Sequence, residues 1–236
     1  VLDAAGYARQ PIAPEGLYSI FGLNLARRST RADAGATPDS LDGASVSITD
    51  GSGVSRTALL SFVSPRQVNF VAPAGMAAGA GMLQVKNATG QSTSAPVEIR
   101  AVAPGIFSAD MTGKGVAAAV VVRVRADGSQ DTAVAADCSS NAGQCIAIPI
   151  DVASDGAEVY LSLYGTGIRG RSSLSSAKVS VEGIPIDVLY AGPQSQYPGL
   201  DQINVRIPAM LAGRGEADVV VTVDGVAANT VRIAVR

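Results

Sequence analysis

In Gln202-Ile203-Asn204-Val205-Arg206-Ile207-Pro208, Val205 and Ile207 flank Arg206, so apolar and polar residues alternate. Successive side chains on an extended strand point to opposite faces, and alternation of this kind marks a strand with one face buried. The same rule governs Val231-Arg232-Ile233-Ala234-Val235-Arg236 and Val97-Glu98-Ile99-Arg100. It also governs Val120, Val122 and Val124, which alternate with Val121, Arg123 and Arg125. β-branched residues suit that pleated, half-buried surface. Sustained helical periodicity is missing; Ala74–Ala80 and Ala209–Gly213 have room for one short helical turn each.

The opening heptad has a counterpart in Gln67-Val68-Asn69-Phe70-Val71-Ala72-Pro73. Each copy leads into a Met- and Ala-containing segment that ends in Ala-Gly, at Ala78-Gly79 and Ala212-Gly213. Ser19-Ile20-Phe21-Gly22 and Ser162-Leu163-Tyr164-Gly165 precede them, and Val46-Ser47-Ile48 and Val179-Ser180-Val181 lie between. Matched blocks in one order mean that a structural unit occurs twice. Asp50-Gly51, Asp127-Gly128, Glu182-Gly183 and Asp224-Gly225 supply tight turns between apolar runs, because glycine accepts the positive φ that hairpins require. Strands at this spacing predict an all-β chain of two tandem immunoglobulin-like β-sandwich domains. The expected boundaries are 1–102 and 103–236, meeting at Ala103-Pro104-Gly105-Ile106-Phe107, with a Cys-containing loop inserted in the second domain.

These motifs resemble a C-terminal domain family of large exported proteins from soil acidobacteria (Solibacter-type), itself similar to IPT/TIG immunoglobulin-like domains. The resemblance rests on Asp3-Ala4-Ala5-Gly6-Tyr7, on Ala13-Pro14 leading to Ser19–Leu25, and on Ser64–Asn69. It continues through Ala103–Phe107, Leu163–Gly167, Leu189–Gly192 and Gly199–Pro208, and so spans essentially the whole chain. The family has no assigned activity, so the resemblance implies a fold and an exported setting but no catalytic residues. Asp3 stands where the family usually has asparagine, and the cysteine pair is not part of its pattern.

Cys138 and Cys145 are the only two cysteines and bracket a polar loop. Closing so short a loop as a disulfide stabilises by about 2.5 kcal/mol on chain-entropy grounds, less any strain. The competing reading is half of a zinc site, which needs further soft ligands; the chain has no histidine and no other cysteine. A disulfide points to an oxidising compartment, hence to an extracellular or cell-surface location. Val1 in place of an initiator methionine leads us to expect a piece trimmed from a larger exported protein. The longest strongly apolar run, Val116–Val122, is far short of the roughly 20 residues of a bilayer span, so no membrane insertion is expected.

A formal charge of −2 and interleaved acidic residues argue against a nucleic-acid partner, which needs a basic face. Without histidine the usual Ser-His-Asp triad is unavailable, and no carboxylate pair stands out, so a non-enzyme is expected. Gly165-Thr166-Gly167-Ile168-Arg169-Gly170 fits the dinucleotide fingerprint by letter, but the serine-rich segment after it is no helix start, so an inter-strand loop is expected and no cofactor. Asp110, Asp151 and Asp155 are too scattered for a recognised calcium loop, which leaves no metal site assigned. Tyr190 and Tyr197 flank a loop and are the best aromatic candidates for a sugar platform. The amides of the two Gln-x-Asn motifs are expected to satisfy unpaired backbone groups at strand entries. Arg169, Arg171 and Arg214, set among glycines, are the candidate partner-contact residues.

The expected function is therefore a structural or interaction module of a larger exported or cell-surface protein. Its partners would be other domains of the same protein, and outside it a surface protein or glycan. A carbohydrate- or polymer-binding module is the alternative, and an accessory domain of an enzyme encoded upstream is the third reading.

Overall fold

The computed structural model describes residues 1–33, 36–141, 144–153 and 156–236. The chain is all-β, with no α-helix among the described residues. The N-terminal half contains β1 (Leu2–Asp3), β2 (Leu17–Phe21), β3 (Thr30–Arg31), β4 (Ser45–Thr49), β5 (Ser55–Thr57), β6 (Leu59–Val63), β7 (Gln67–Val71), β8 (Gly79–Lys86) and β9 (Ser92–Ile99). The C-terminal half contains β10 (Gly105–Ile106), β11 (Ala119–Val124), β12 (Gln130–Val134), β13 (Ala136–Asn141), β14 (Gln144–Ala147), β15 (Pro149–Ile150) and β16 (Glu158–Thr166). It continues with β17 (Ala177–Val181), β18 (Ile184–Ile186), β19 (Val188–Pro193), β20 (Asp201–Ile207), β21 (Gly215–Val223), β22 (Val226–Ala227) and β23 (Val231–Val235).

In the N-terminal half, one sheet has the order β1-β2-β7-β6-β3 and the other β5-β4-β8-β9. In the C-terminal half, β12-β11-β16-β20-β19, with β10 on β16, faces β15-β23-β21-β17-β18, with β22 on β21. The hairpin β13-β14 pairs only with itself. The two Gln-x-Asn segments are equivalent strands: β7 lies between β2 and β6, and β20 between β16 and β19. Their registers match, since Ser19 faces Asn69 and Ser162 faces Asn204.

Alternation is realised residue by residue. On β16, Val159, Leu161 and Leu163 are buried and Tyr160, Ser162 and Tyr164 lie on the outer side. The buried apolar residues form two clusters, one drawn from Ile12 to Ile99 and the other from Val102 to Val235. Each fully buried Leu, Ile or Val contributes about 1.5–3 kcal/mol of transfer free energy. The first cluster is organised by Tyr18 and Phe70, whose ring centroids are 5.7 Å apart.

Turn chemistry follows the expected residues at Gly128, Glu182-Gly183 and Asp224-Gly225, whereas in the β4–β5 turn the positive φ falls on Gly53 rather than Gly51. Glu182-Gly183 and Asp224-Gly225 both adopt positive φ at both positions, the geometry that matches strand twist, and they join β17 to β18 and β21 to β22. Ala209–Leu211 is a single 3₁₀ turn, as its composition allowed. The helical turn allowed for Ala74–Ala80 does not form. Gly75 (φ 66°) and Gly79 (φ 124°) leave the helical region, and β8 begins at Gly79.

Candidate functional site

The most constrained polar site is the junction between the two halves, and it begins with the linker after β9. Arg100 N–H donates to the carbonyl of Ile12 at 3.1 Å, and Ala103 N–H donates to the carbonyl of Gly167 at 3.0 Å. The three glycines of Gly165-Thr166-Gly167-Ile168-Arg169-Gly170 lie along this linker. A Cβ at Gly170 would overlap the carbonyl of Ala101, one at Gly167 that of Ala103, and one at Gly165 that of Gly105. Gly167 also has φ 70°. The pattern that imitates a phosphate cradle therefore seats the chain's own backbone, at alternate residues of one extended segment. No helix follows it; the next element is the 3₁₀ turn Leu174–Ser176.

Thr166, at the end of β16, is wholly buried and ties the halves together. Its Oγ1 accepts the Leu17 N–H at 2.7 Å and its hydroxyl donates to the Gly199 carbonyl at 3.0 Å. A Cβ at Gly199 would lie 2.8 Å from the Leu17 side chain and 3.3 Å from that of Val71, so the outer face of the first half's sheet is pressed against this loop. Beside it, Asp201 is fully buried and accepts N–H bonds from Ile168 (2.7 Å) and Arg169 (3.2 Å) and the Arg169 Nε–H (2.7 Å). Burial pushes the Asp201 carboxyl above the ordinary aspartate range, against the pull of those N–H groups and of the guanidinium. The remaining arms of Arg169 reach the Leu200 carbonyl (2.9 Å) and Glu15 in the other half (3.3 Å).

The N-terminal turn completes the junction. Asp3 is buried and accepts the N–H groups of Ala5, Gly6 and Ala8. This places Ala5 against Gly105 and the Gly6 backbone against Gly113. Asn229 locks the far side: its Oδ1 accepts the Ile106 N–H, and its Nδ2 donates to the carbonyls of Ile106 (2.8 Å) and Gly113 (2.9 Å). Asn229 gave no signal in the sequence, because its partners lie more than a hundred residues away.

The three candidate arginines differ in their settings. Arg169 has a side chain only 13 % exposed and is engaged as described, so glycine neighbours did not leave it free. Arg171 is half-buried, with a guanidinium nitrogen near Gly192. Arg214 is exposed and lies beyond the opposite end of β20, which is seven residues long, roughly 20 Å away.

Cys138 and Cys145 form the expected disulfide across β13-β14, with Cα atoms 4.2 Å apart. The Gln-x-Asn amides behave differently from expectation. Gln67 Nε2 donates to Asn69 Oδ1 (2.8 Å), and Gln202 Nε2 donates to Asn204 Oδ1 (2.6 Å). Ser19 Oγ donates to the same Asn69 oxygen at 3.0 Å. Each motif is thus a side-chain cluster on the outer sheet face; its residues lie two apart on one strand and therefore share a face.

Tyr197 and Tyr190 are exposed, and the Tyr190 hydroxyl donates to the Pro193 carbonyl at 2.6 Å. Among the described residues no group of three or more Asp, Glu, His or Cys is placed to hold a metal ion. Asp110 is occupied by Ser108 and Thr112, and Asp155 lies outside the described residues. No helix among the described residues is long and apolar enough to cross a membrane. No protein-family profile matches the chain, and no curated protein matches it significantly.

Proposed function

We propose that the chain is a non-catalytic, rigid spacer and interaction module of a larger exported or cell-surface protein, built from two immunoglobulin-like units at 1–102 and 103–236. The observation that carries this reading is the junction. Domains joined by a short linker move relative to one another unless their interface holds them. Here the linker is seated on three glycines, and Thr166 and Arg169 bond across it to Leu17 and Glu15. Buried polar groups that are fully satisfied in one arrangement fix that arrangement, because any other leaves them unpaired. The disulfide supports an oxidising setting, and the motif resemblance to IPT/TIG-like domains of exported proteins points the same way. The test is residual dipolar coupling on the full chain. Both halves should report one alignment tensor; two distinct tensors would mean a flexible tether and would defeat the spacer reading.

One observation favours binding of a polymer as a second reading. The outer face of β16 carries Tyr160 and Tyr164 beside the Ser162–Gln202–Asn204 cluster, with Tyr190 directly across from Asn204 on β19. Aromatic faces around amides suit sugar rings. Retention on insoluble polysaccharide that Tyr164→Ala and Tyr190→Ala remove would support it, and passage through every polysaccharide without retention would dismiss it.

A further inference from the structure

The junction has a seat and a plug, and the internal repeat supplies each a second time. The seat is on the N-terminal half: Glu15, which meets Arg169, and Leu17 and Val71, which press on Gly199. Leu17 and Val71 are a cross-strand pair of β2 and β7. The equivalent pair of β16 and β20 is Tyr160 and Arg206, and Glu158 precedes Tyr160 as Glu15 precedes Leu17. The exits match too: Arg236 N–H donates to the Ile150 carbonyl as Arg100 N–H donates to that of Ile12. At this far end of the C-terminal half lies an open groove of about 690 Å³, lined among others by Val152, Glu158, Val159, Arg206, Pro208 and Met210. In the N-terminal half, the Thr166 and Gly199 loops cover Leu17 and Val71, the equivalents of Tyr160 and Arg206.

The plug is Gly165-Thr166-Gly167 with Gly199–Asp201. Its counterpart on the N-terminal half is Gly22-Leu23-Asn24 with Ser64–Arg66. The backbone agrees: Gly22 N–H bonds the Arg66 carbonyl where Gly165 pairs with Asp201, and Asn24 (φ 56°) takes the left-handed conformation of Gly167. Exposure differs completely. Thr166 is buried in the junction, whereas Leu23 is 75 % exposed and Phe21 50 %. An isolated exposed leucine needs no explanation; one at the position that plugs the other copy's seat does.

We propose that the face formed by Tyr160 with the adjoining groove at Glu158 and Arg206 is an unfilled copy of the junction seat, and that it receives the Leu23 end of a second copy of this chain. The contact continues the interface already made within the chain. It is heterologous, so repetition builds head-to-tail rows rather than a closed dimer. The charges agree. The plug's buried Asp201 is replaced at the exposed end by Arg66, with Arg27 nearby, both exposed. The seat's Leu17 and Val71 are replaced by the polar set Tyr160 and Arg206, both bonded to Glu158, whose carboxylate is half exposed. The two ends differ in one further respect: the Ala5–Ala8 turn of the N-terminal half is replaced by the β12–β14 excursion, so the second seat selects a different plug from the first.

The test uses the full chain. Sedimentation velocity over a concentration series into the millimolar range should show an average sedimentation coefficient that rises with concentration and falls with added salt. Glu158→Lys should weaken association about tenfold or more, and adding Arg66→Glu to it should restore it. Direction is read by thiol cross-linking: Leu23→Cys mixed with Arg206→Cys should give linked dimers that neither variant gives alone, because Arg206 stands where Val71 does in the junction. Both positions are exposed, so folding is undisturbed. A constant monomer value with no excess of mixed dimer would overturn the proposal, as would equal linking in a single variant, which reports an isologous contact. Either result leaves the rigid-spacer reading standing, since that depends on the alignment tensors.

Discussion

Asp201 and Asp50 are two buried carboxylates with opposite electrostatic histories. Asp201 meets its N–H donors and Arg169 inside the junction, where loss of water dominates and raises its pKa. Asp201→Ala would take from Arg169 its buried carboxylate, leaving only Glu15 and the Leu200 carbonyl, and from the Ile168 N–H its acceptor. Breaking a buried pair from one side costs about 3–5 kcal/mol, so the variant's urea midpoint should fall sharply. Asp50 sits in the β4–β5 turn, and its carboxylate accepts from Ser52 (2.6 Å), Val54 (3.2 Å), Ala77 (3.0 Å) and Arg56 (2.5 Å). The Ser52 hydroxyl and the Ala77 N–H hold its pKa far below the usual carboxylate range. A folded pKa below the unfolded one means a stabilisation that is complete above the unfolded value, about 3.9, and is lost as pH falls through the folded one. The destabilisation caused by Asp50→Asn should therefore be full at neutral pH and shrink steadily below about pH 4. Melts of both proteins across that range check the sign; a difference independent of pH would show that the charge of Asp50 does not matter.

At the level of strands and hairpins, the Gln-x-Asn clusters and the cystine make contrasting predictions. Gln67 and Gln202 are half-buried, and each donates to the asparagine two residues on. Removing one such bond costs about 0.5–1.5 kcal/mol. Thermal melts of Gln67→Ala and Gln202→Ala should show losses of that size and similar to each other, since the clusters are equivalent. The disulfide joins β13 to β14, which pair with no other sheet. Reduction should release that hairpin while both cores stay intact: amide exchange should quicken across residues 136–141 and 144–147, with little change in the main melting transition. These elements were legible in unequal degree. Strands such as β16 and β20 could be read because each has one buried face, and that leaves a period of two in the letters. The cystine could be read because both cysteines are close in sequence. The partner of Gln67 could not: the side-chain bond to Asn69 and the backbone bond expected at a strand entry demand the same residue types.

The molecule as a whole is coupled through contacts that sequence patterns do not record. Gly165, Gly167 and Gly170 were recognisable as a glycine loop, but the backbone they make room for lies at residues 101–105, and nothing local says that it passes there. Arg169 looked free for the same reason: its carboxylate is 32 residues downstream and its second partner is in the other half. Two separate hydrophobic clusters would ordinarily melt as two units. The junction opposes this, because unfolding either half strips partners from buried groups of the other: Leu17 N–H loses Thr166, and Gly105 and Gly113 lose the turn held by Asp3. Calorimetry of the native chain should therefore give one transition with matching calorimetric and van't Hoff enthalpies. Gly167→Ala should uncouple it. The new methyl overlaps the Ala103 carbonyl, and alanine at φ 70° is strained as well, so the linker must lift from its seat. Neither core is touched by that methyl, so the expected scan has two transitions, each with the enthalpy of one half. A single transition merely shifted to lower temperature would mean that the halves are held together by something other than the seated linker, and the junction would then have to be sought in the Asp3 turn and Asn229.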